Sequence, residues 1–285
     1  MGTIRIEGSG GLWLTADEAG DPSGPPVVLL HGGGQTRHAW GTTLDAVAGR
    51  GFHGLSVDLR GHGDSDWDPD GDYSIDRFAA DITAVAARFD SPPALVGASL
   101  GGISSLLAIG ESPTPIARAL VLVDVAHRLE PKGVERIGSF MTGNLDGFAS
   151  LEEVADVIAA YNPHRPRPKD LSGLRKNLRQ RDDGRWVWHW DPRFVTGRFG
   201  DADETRATIL RPDRLVDATR SLSVPTLLVR GRMSDLLSED AAQEFLELAP
   251  HARLVDVAGA GHMVAGDRND LFNDAVVDFL ADALA

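Results

Sequence analysis

The sequence predicts an α/β fold with a doubly wound, mostly parallel sheet carrying a helical insertion. Three observations predict it. Short continuous apolar runs, such as Val27-Val28-Leu29-Leu30 and Ala119 to Val123, alternate with helix-like stretches. Each run ends in a glycine-rich or chemistry-bearing loop. The alternation stops near His127 and resumes near Leu222.

In chain order, Thr3 to Glu7 and Leu12 to Glu18 alternate in character around Gly8-Ser9-Gly10-Gly11, which predicts an antiparallel hairpin. Val27 to Leu30 is read as a strand covered on both faces, followed by His31-Gly32-Gly33-Gly34 and a helix from about Trp40 to Gly49. Leu55 to Asp58 is the next strand, and it leads into Arg60-Gly61-His62-Gly63-Asp64-Ser65. A helix capped by Asp72 or Ser74 runs to about Phe89. Pro93 to Val96 is a strand, interrupted at Gly97-Ala98-Ser99-Leu100-Gly101, where a helix begins directly. Ala119 to Val123 is a strand ending at Asp124. After the insertion come a strand over Thr226 to Val229, a helix over Glu239 to Leu248, a strand over Arg253 to Val257 and a closing helix over Asp267 to Leu284. The expected division is a core of residues 1–126 and 222–285 and a cap of residues 127–221. Within the cap, Leu151 to Ala160 is read as an amphipathic helix. Trp186, Trp188 and Trp190 share one face if their segment is extended.

Composition narrows the function. Of 285 residues, 42% are hydrophobic, enough for a sizeable core. With 42 acidic and 28 basic residues the formal charge is −14, which disfavours nucleic acid and anionic membrane surfaces as partners. There is no cysteine, hence no disulfide and no thiol chemistry. No secretory signal and no apolar stretch of about 20 residues is visible, so a cytoplasmic location is expected. The histidines lack ligand spacing, and Gly32 to Gly34 is followed by no Gly-Lys-Ser/Thr. No metal and no cofactor is expected.

The chemistry centres on Gly-x-Ser-x-Gly. A serine on a sharp strand-to-helix turn sits in a strained backbone, and flanking glycines make room for it. Its hydroxyl needs a base, and the base needs a third group to hold it. The order Ser99, Asp235, His262, with His31-Gly32-Gly33 and Gly231-Arg232-Met233-Ser234-Asp235, resembles the α/β-hydrolases over nearly the whole chain. The resemblance implies Ser99 as nucleophile, His262 as general base and then acid, and Asp235 as the orienting carboxylate. The backbone N–H groups of Gly33 and Leu100 become the oxyanion donors. Asp124 is the alternative acid, a position some hydrolases of this fold use. His31 and His62 are expected to hold their loops. Trp188, Trp190 and Met263 are the residues expected to line the substrate pocket.

The same resemblance narrows the substrate. A serine at the nucleophile position disfavours epoxide opening and halide removal. Met263 after the histidine, where carbon–carbon bond hydrolases usually carry tryptophan, weakens that activity. An insertion rich in arginine and acid suits soluble substrates better than an interfacial lipase. The expected function is hydrolysis of a small soluble carboxylic ester or lactone through an acyl-enzyme. The alternatives are a cofactor-free perhydrolase or haloperoxidase, a carbon–carbon bond hydrolase on the same triad, or a non-catalytic ligand-binding protein.

Overall fold

The apolar runs pair into one eight-stranded sheet, as the computed structural model of the chain shows for residues 2–163, 165, 167, 169–199, 212–262, 264 and 269–285. The strands are β1 (Gly2–Glu7), β2 (Trp13–Ala19), β3 (Pro26–Leu30), β4 (His53–Val57), β5 (Ala94–Ala98), β6 (Ala119–Val123), β9 (Thr226–Gly231) and β10 (Arg253–Val257). Their spatial order is β1-β2-β4-β3-β5-β6-β9-β10. The first hairpin and the β2–β4 pair are antiparallel, and every later pairing is parallel. Side chains of a strand alternate between faces, and the core divides accordingly. Val28, Leu95, Leu120 and Leu228 pack on one side with α2 (Ile75–Ala86) and α3 (Leu100–Gly110). Val27, Val96, Val121 and Val229 pack on the other with α1 (Gly41–Gly49) and the C-terminal helix, Asn269–Leu284.

Register decides where the chemistry lands. Leu30 pairs with Gly97, Ala98 with Val123 and Val123 with Val229, so neighbouring strands end on one rim. The loops after β3, β5, β6, β9 and β10 therefore emerge together at the carboxyl ends of the parallel strands.

Between β6 and β9 lie α4 (Pro131–Thr142), α5 (Leu151–Tyr161), a two-stranded ribbon of β7 (Leu178–Gln180) and β8 (Trp186–Trp188), α6 (Pro192–Phe199) and α7 (Pro212–Arg220). Ser150 caps α5 by accepting from the Glu153 N–H at 3.2 Å. The last of these helices packs on α3, so closely that a Cβ on Gly110 would stand 2.5 Å from the Ala218 carbonyl oxygen. The remaining helices are α8 (Glu239–Leu248) and α9, the C-terminal helix. The tryptophan series does not act as one face. Trp188 and Trp190 stack at 5.0 Å with ring planes 8° apart, while Trp186 packs beneath the Arg175 guanidinium at 4.7 Å. The regular strand ends at Trp188, and Trp190 instead bridges to His62 in the core.

Candidate active site

Ser99 follows β5 directly and precedes the first residue of α3, with φ 45° and ψ −112°. That conformation is costly for an L-residue, and the surroundings impose it. A Cβ on Gly97 would stand 2.6 Å from Gly101 backbone atoms, and one on Gly101 would stand 2.4 Å from the Leu30 carbonyl oxygen. The turn is thus packed against β3 so tightly that only glycine fits on either side of the serine.

His262, just beyond β10, makes an Nδ1 to Asp124 Oδ2 hydrogen bond of 2.8 Å. The carboxylate is the acceptor, so Nδ1 carries the proton and Nε2 of the neutral ring is left with its lone pair. Asp124 is fully buried and itself takes φ 52°. Among the described residues, it and Ser99 are the non-glycine positions with positive φ. Its Oδ1 accepts from the Gly231 N–H at 2.9 Å, and its Oδ2 also accepts from the Ser234 hydroxyl at 2.5 Å.

The assignment of Asp235 as the orienting acid is corrected by this geometry. Asp235 is 40% exposed and pairs with Arg136 of α4 at 2.5 Å. The cause is the path of the loop after β9. Ser234 turns inward to Asp124, and its hydroxyl accepts from the N–H groups of Leu236 and Leu237. Asp235 is left on the outside of that turn. Since β5 and β6 are neighbours and Ala98 pairs with Val123, the next residues, Ser99 and Asp124, emerge on adjacent strands.

The loop after β3 lies against the elbow, where a Cβ on Gly32 would stand 3.3 Å from Ser99 Cβ. Its amides divide their work. The Gly32 N–H donates to Gln35 Oε1 at 2.9 Å, and the Gly34 N–H donates to His62 Nε2 at 3.1 Å. Among the described residues no protein acceptor is recorded for the Gly33 N–H between them, nor for the Leu100 N–H, which opens α3. These are the two donors named from the sequence.

Both loop histidines act as braces. His62 donates from Nδ1 to the Arg60 carbonyl at 2.9 Å while accepting from Gly34. His31 donates from Nδ1 to the Gly32 carbonyl at 2.8 Å and accepts at Nε2 from the Leu59 N–H at 3.0 Å. Burial pushes the His31 pKa down from 6.5 to about 4. Between those values the unfolded chain binds a proton that the folded chain refuses, so stability falls as pH drops. The loss should reach about 3 kcal/mol at pH 4 from this group alone. Urea unfolding between pH 7 and 4.5, with an NMR titration showing the His31 ring neutral at pH 5, checks this.

Ser99 and His262 open into one cavity of about 430 Å³. Trp188 and Trp190 line it, as do Phe140 and Met141 of α4, whereas Met263 lies outside the described residues. Sequence reasoning missed its polar lining, Gln35, Asn162, Arg165 and Asn177. No periodicity in the sequence marks residues on such connections. No helix among the described residues is long and apolar enough to cross a membrane.

Known proteins resemble the chain along most of its length. It is 34% identical over 255 residues to "Esterase Rv0045c" of Mycobacterium tuberculosis, covering 86% of this chain and 79% of that one. It is 28% identical over 272 residues to the 3-hydroxybutyrate-oligomer hydrolase of Cupriavidus necator, covering 92% and 91%. The crystal structure of E-2-(acetamidomethylene)succinate hydrolase superimposes with a TM-score of 0.84 at 25% identity, covering 98% of both chains. The family model described as "Alpha/beta hydrolase family" matches residues 27–275. A serine elbow, a buried acid–histidine pair and a parallel sheet thus occur in a chain that matches that model over most of its length, and the protein is an enzyme of the alpha/beta hydrolase family.

Proposed function

We propose that the protein is a serine hydrolase that cleaves a small carboxylic ester or lactone through an acyl-enzyme on Ser99. The observation that carries this reading is the 2.8 Å bond between His262 Nδ1 and buried Asp124, with Ser99 and His262 facing the same cavity. Ser99 Oγ attacks the carbonyl carbon as His262 Nε2 takes its proton. Asp124 holds the ring in the tautomer that leaves Nε2 free and stabilises the imidazolium that forms. The N–H groups of Gly33 and Leu100 receive the oxyanion; each such donor is worth about 2.7–4 kcal/mol in the transition state. His262 then protonates the leaving alkoxide. A water activated by the same imidazole attacks the acyl-enzyme, releasing the acid and restoring Ser99. The names of two relatives, an esterase and a 3-hydroxybutyrate-oligomer hydrolase, support an ester substrate. Residues 127–221 serve as a cap over the cavity in this reading. Its working part is α4 to α6, since α7 packs on α3.

The test is reaction with a fluorophosphonate, followed by peptide mapping and an assay with 4-nitrophenyl acetate and butyrate. Label on Ser99 and an initial burst of nitrophenol are expected. Label elsewhere, or turnover that persists after Ser99 is blocked, would overturn the reading.

A further inference from the structure

We infer that Ser234 is a positioning residue for the hydrolysis: its hydroxyl fixes the carboxylate oxygen of Asp124 that orients His262. This rests on the hydrolase reading and adds a fourth side chain to it. An aspartate carboxylate turns easily about its last bond, because that torsion is broad and two-fold. A single hydrogen bond to one oxygen therefore leaves the other free to swing. Asp124 Oδ1 accepts from the Gly231 N–H at 2.9 Å. Its Oδ2 meets His262 Nδ1 at 2.8 Å and is held by a further bond, from the Ser234 hydroxyl at 2.5 Å. With a fixed donor on each oxygen, the carboxylate plane is set independently of the imidazole.

The direction of the Ser234 bond follows from what else its oxygen does. A hydroxyl has one proton and two lone pairs. The N–H groups of Leu236 and Leu237 donate to Ser234 Oγ at 3.1 and 3.2 Å. Both lone pairs are thus engaged, and the proton goes to Asp124. The two leucine side chains are buried, which holds their amides in place. The rest of the turn is pinned to β10 and to the residues after it. The Arg232 N–H donates to the Val257 carbonyl at 3.1 Å and the Met233 N–H to the Ala260 carbonyl at 2.9 Å. A Cβ on Gly231 would stand 2.2 Å from the carbonyl oxygen of Gly261, the residue before His262. Ser234 is therefore the side chain through which a rigid turn acts on the acid. Its bond also offsets part of the cost of keeping the Asp124 charge fully buried. Ser234 does not line the cavity, so its loss should reach the chemistry and leave substrate binding alone.

Ser234→Ala and Ser238→Ala, assayed on a short 4-nitrophenyl ester, give the test. Ser238 caps α8 by accepting from the Ala241 N–H at 3.2 Å and donates to Glu130 at 2.6 Å. Its loss weakens the same region without removing a bond to Asp124. Ser234→Ala should lose kcat by about 10–100-fold with KM within about threefold, as expected for one hydrogen bond to a charged group. Ser238→Ala should keep kcat within about threefold even as its thermal midpoint falls. By NMR on histidine-labelled protein, the proton on His262 Nδ1 should give a far-downfield signal that Ser238→Ala keeps and Ser234→Ala moves or loses. An unchanged kcat in Ser234→Ala, a loss carried by KM, an equal loss in Ser238→Ala, or an unmoved proton signal overturns the proposal while leaving the hydrolase reading intact. If wild type hydrolyses no ester, the hydrolase reading falls, and the proton signal by itself decides whether Ser234 holds Asp124. Should Ser234→Ala not fold, Ser234→Cys keeps the bulk with a weaker donor. It should show the lowered kcat and the moved signal, and wild-type values there overturn the proposal.

Discussion

Asp124→Asn should lower kcat by about four orders of magnitude, whereas Asp235→Asn should stay within about tenfold of wild type. The contrast follows from what each carboxylate touches. Asp124 is buried, and its Oδ2 holds His262 Nδ1 at 2.8 Å. An asparagine there can present its NH2 to the ring, which moves the proton to Nε2 and leaves that nitrogen without the lone pair needed to take the Ser99 proton. Substitution also disturbs the bonds from Gly231 and Ser234, so the variant should be less stable as well as slow. Asp235 instead forms a half-exposed pair with Arg136, and pairs of that kind contribute about 0–1 kcal/mol. Steady-state kinetics on a short 4-nitrophenyl ester, with thermal midpoints for both variants, measures the difference. If the two variants exchange places, Asp235 reaches the histidine in the working enzyme and the geometry described above is not the catalytic one.

Why the sequence favoured the wrong acid is a matter of register. Asp124 and Asp235 both follow buried strands whose carboxyl ends share a rim, and no local pattern ranks them. The ranking comes from strand order, which places β5 beside β6, and from the turn in which Ser234 faces inward. Both are long-range facts. The elbow was legible because its constraint is local: two glycines and a serine within five residues encode a backbone shape. The strands were legible because burial on both faces demands unbroken apolar runs. The Gly33 and Leu100 donors came through the resemblance, and the structure adds that Gln35 and His62 occupy the amides on either side of Gly33. Arg165, Asn162 and Asn177 left no trace, since they sit on connections whose course is set by tertiary contacts such as Arg136 with Tyr161. The three tryptophans sharing one face failed for a related reason. Strand alternation holds only while the strand lasts, and β8 ends at Trp188.

Ser99→Ala should reduce kcat by about 10⁶-fold, leaving only what the oxyanion donors and the cavity supply. The informative comparison is with Ser99→Gly, equally inert but different in stability. The φ of 45° at position 99 is imposed by the approach of Gly97, Gly101 and Leu30, and alanine keeps the Cβ that makes it costly. Glycine removes the Cβ, relieving strain of order 1–3 kcal/mol, against an added unfolded-state entropy of about 0.5–1 kcal/mol. The net gain of about 1 kcal/mol should raise the thermal midpoint of Ser99→Gly by about 2 °C over Ser99→Ala. A protein that became more stable as it lost its nucleophile would show that the fold holds this residue in a conformation it disfavours, because only there does the hydroxyl stand clear of the sheet edge. Equal midpoints, or a lower one for the glycine variant, would mean that the strain relieved is no larger than glycine's added unfolded-state entropy of about 0.5–1 kcal/mol, below the range argued here.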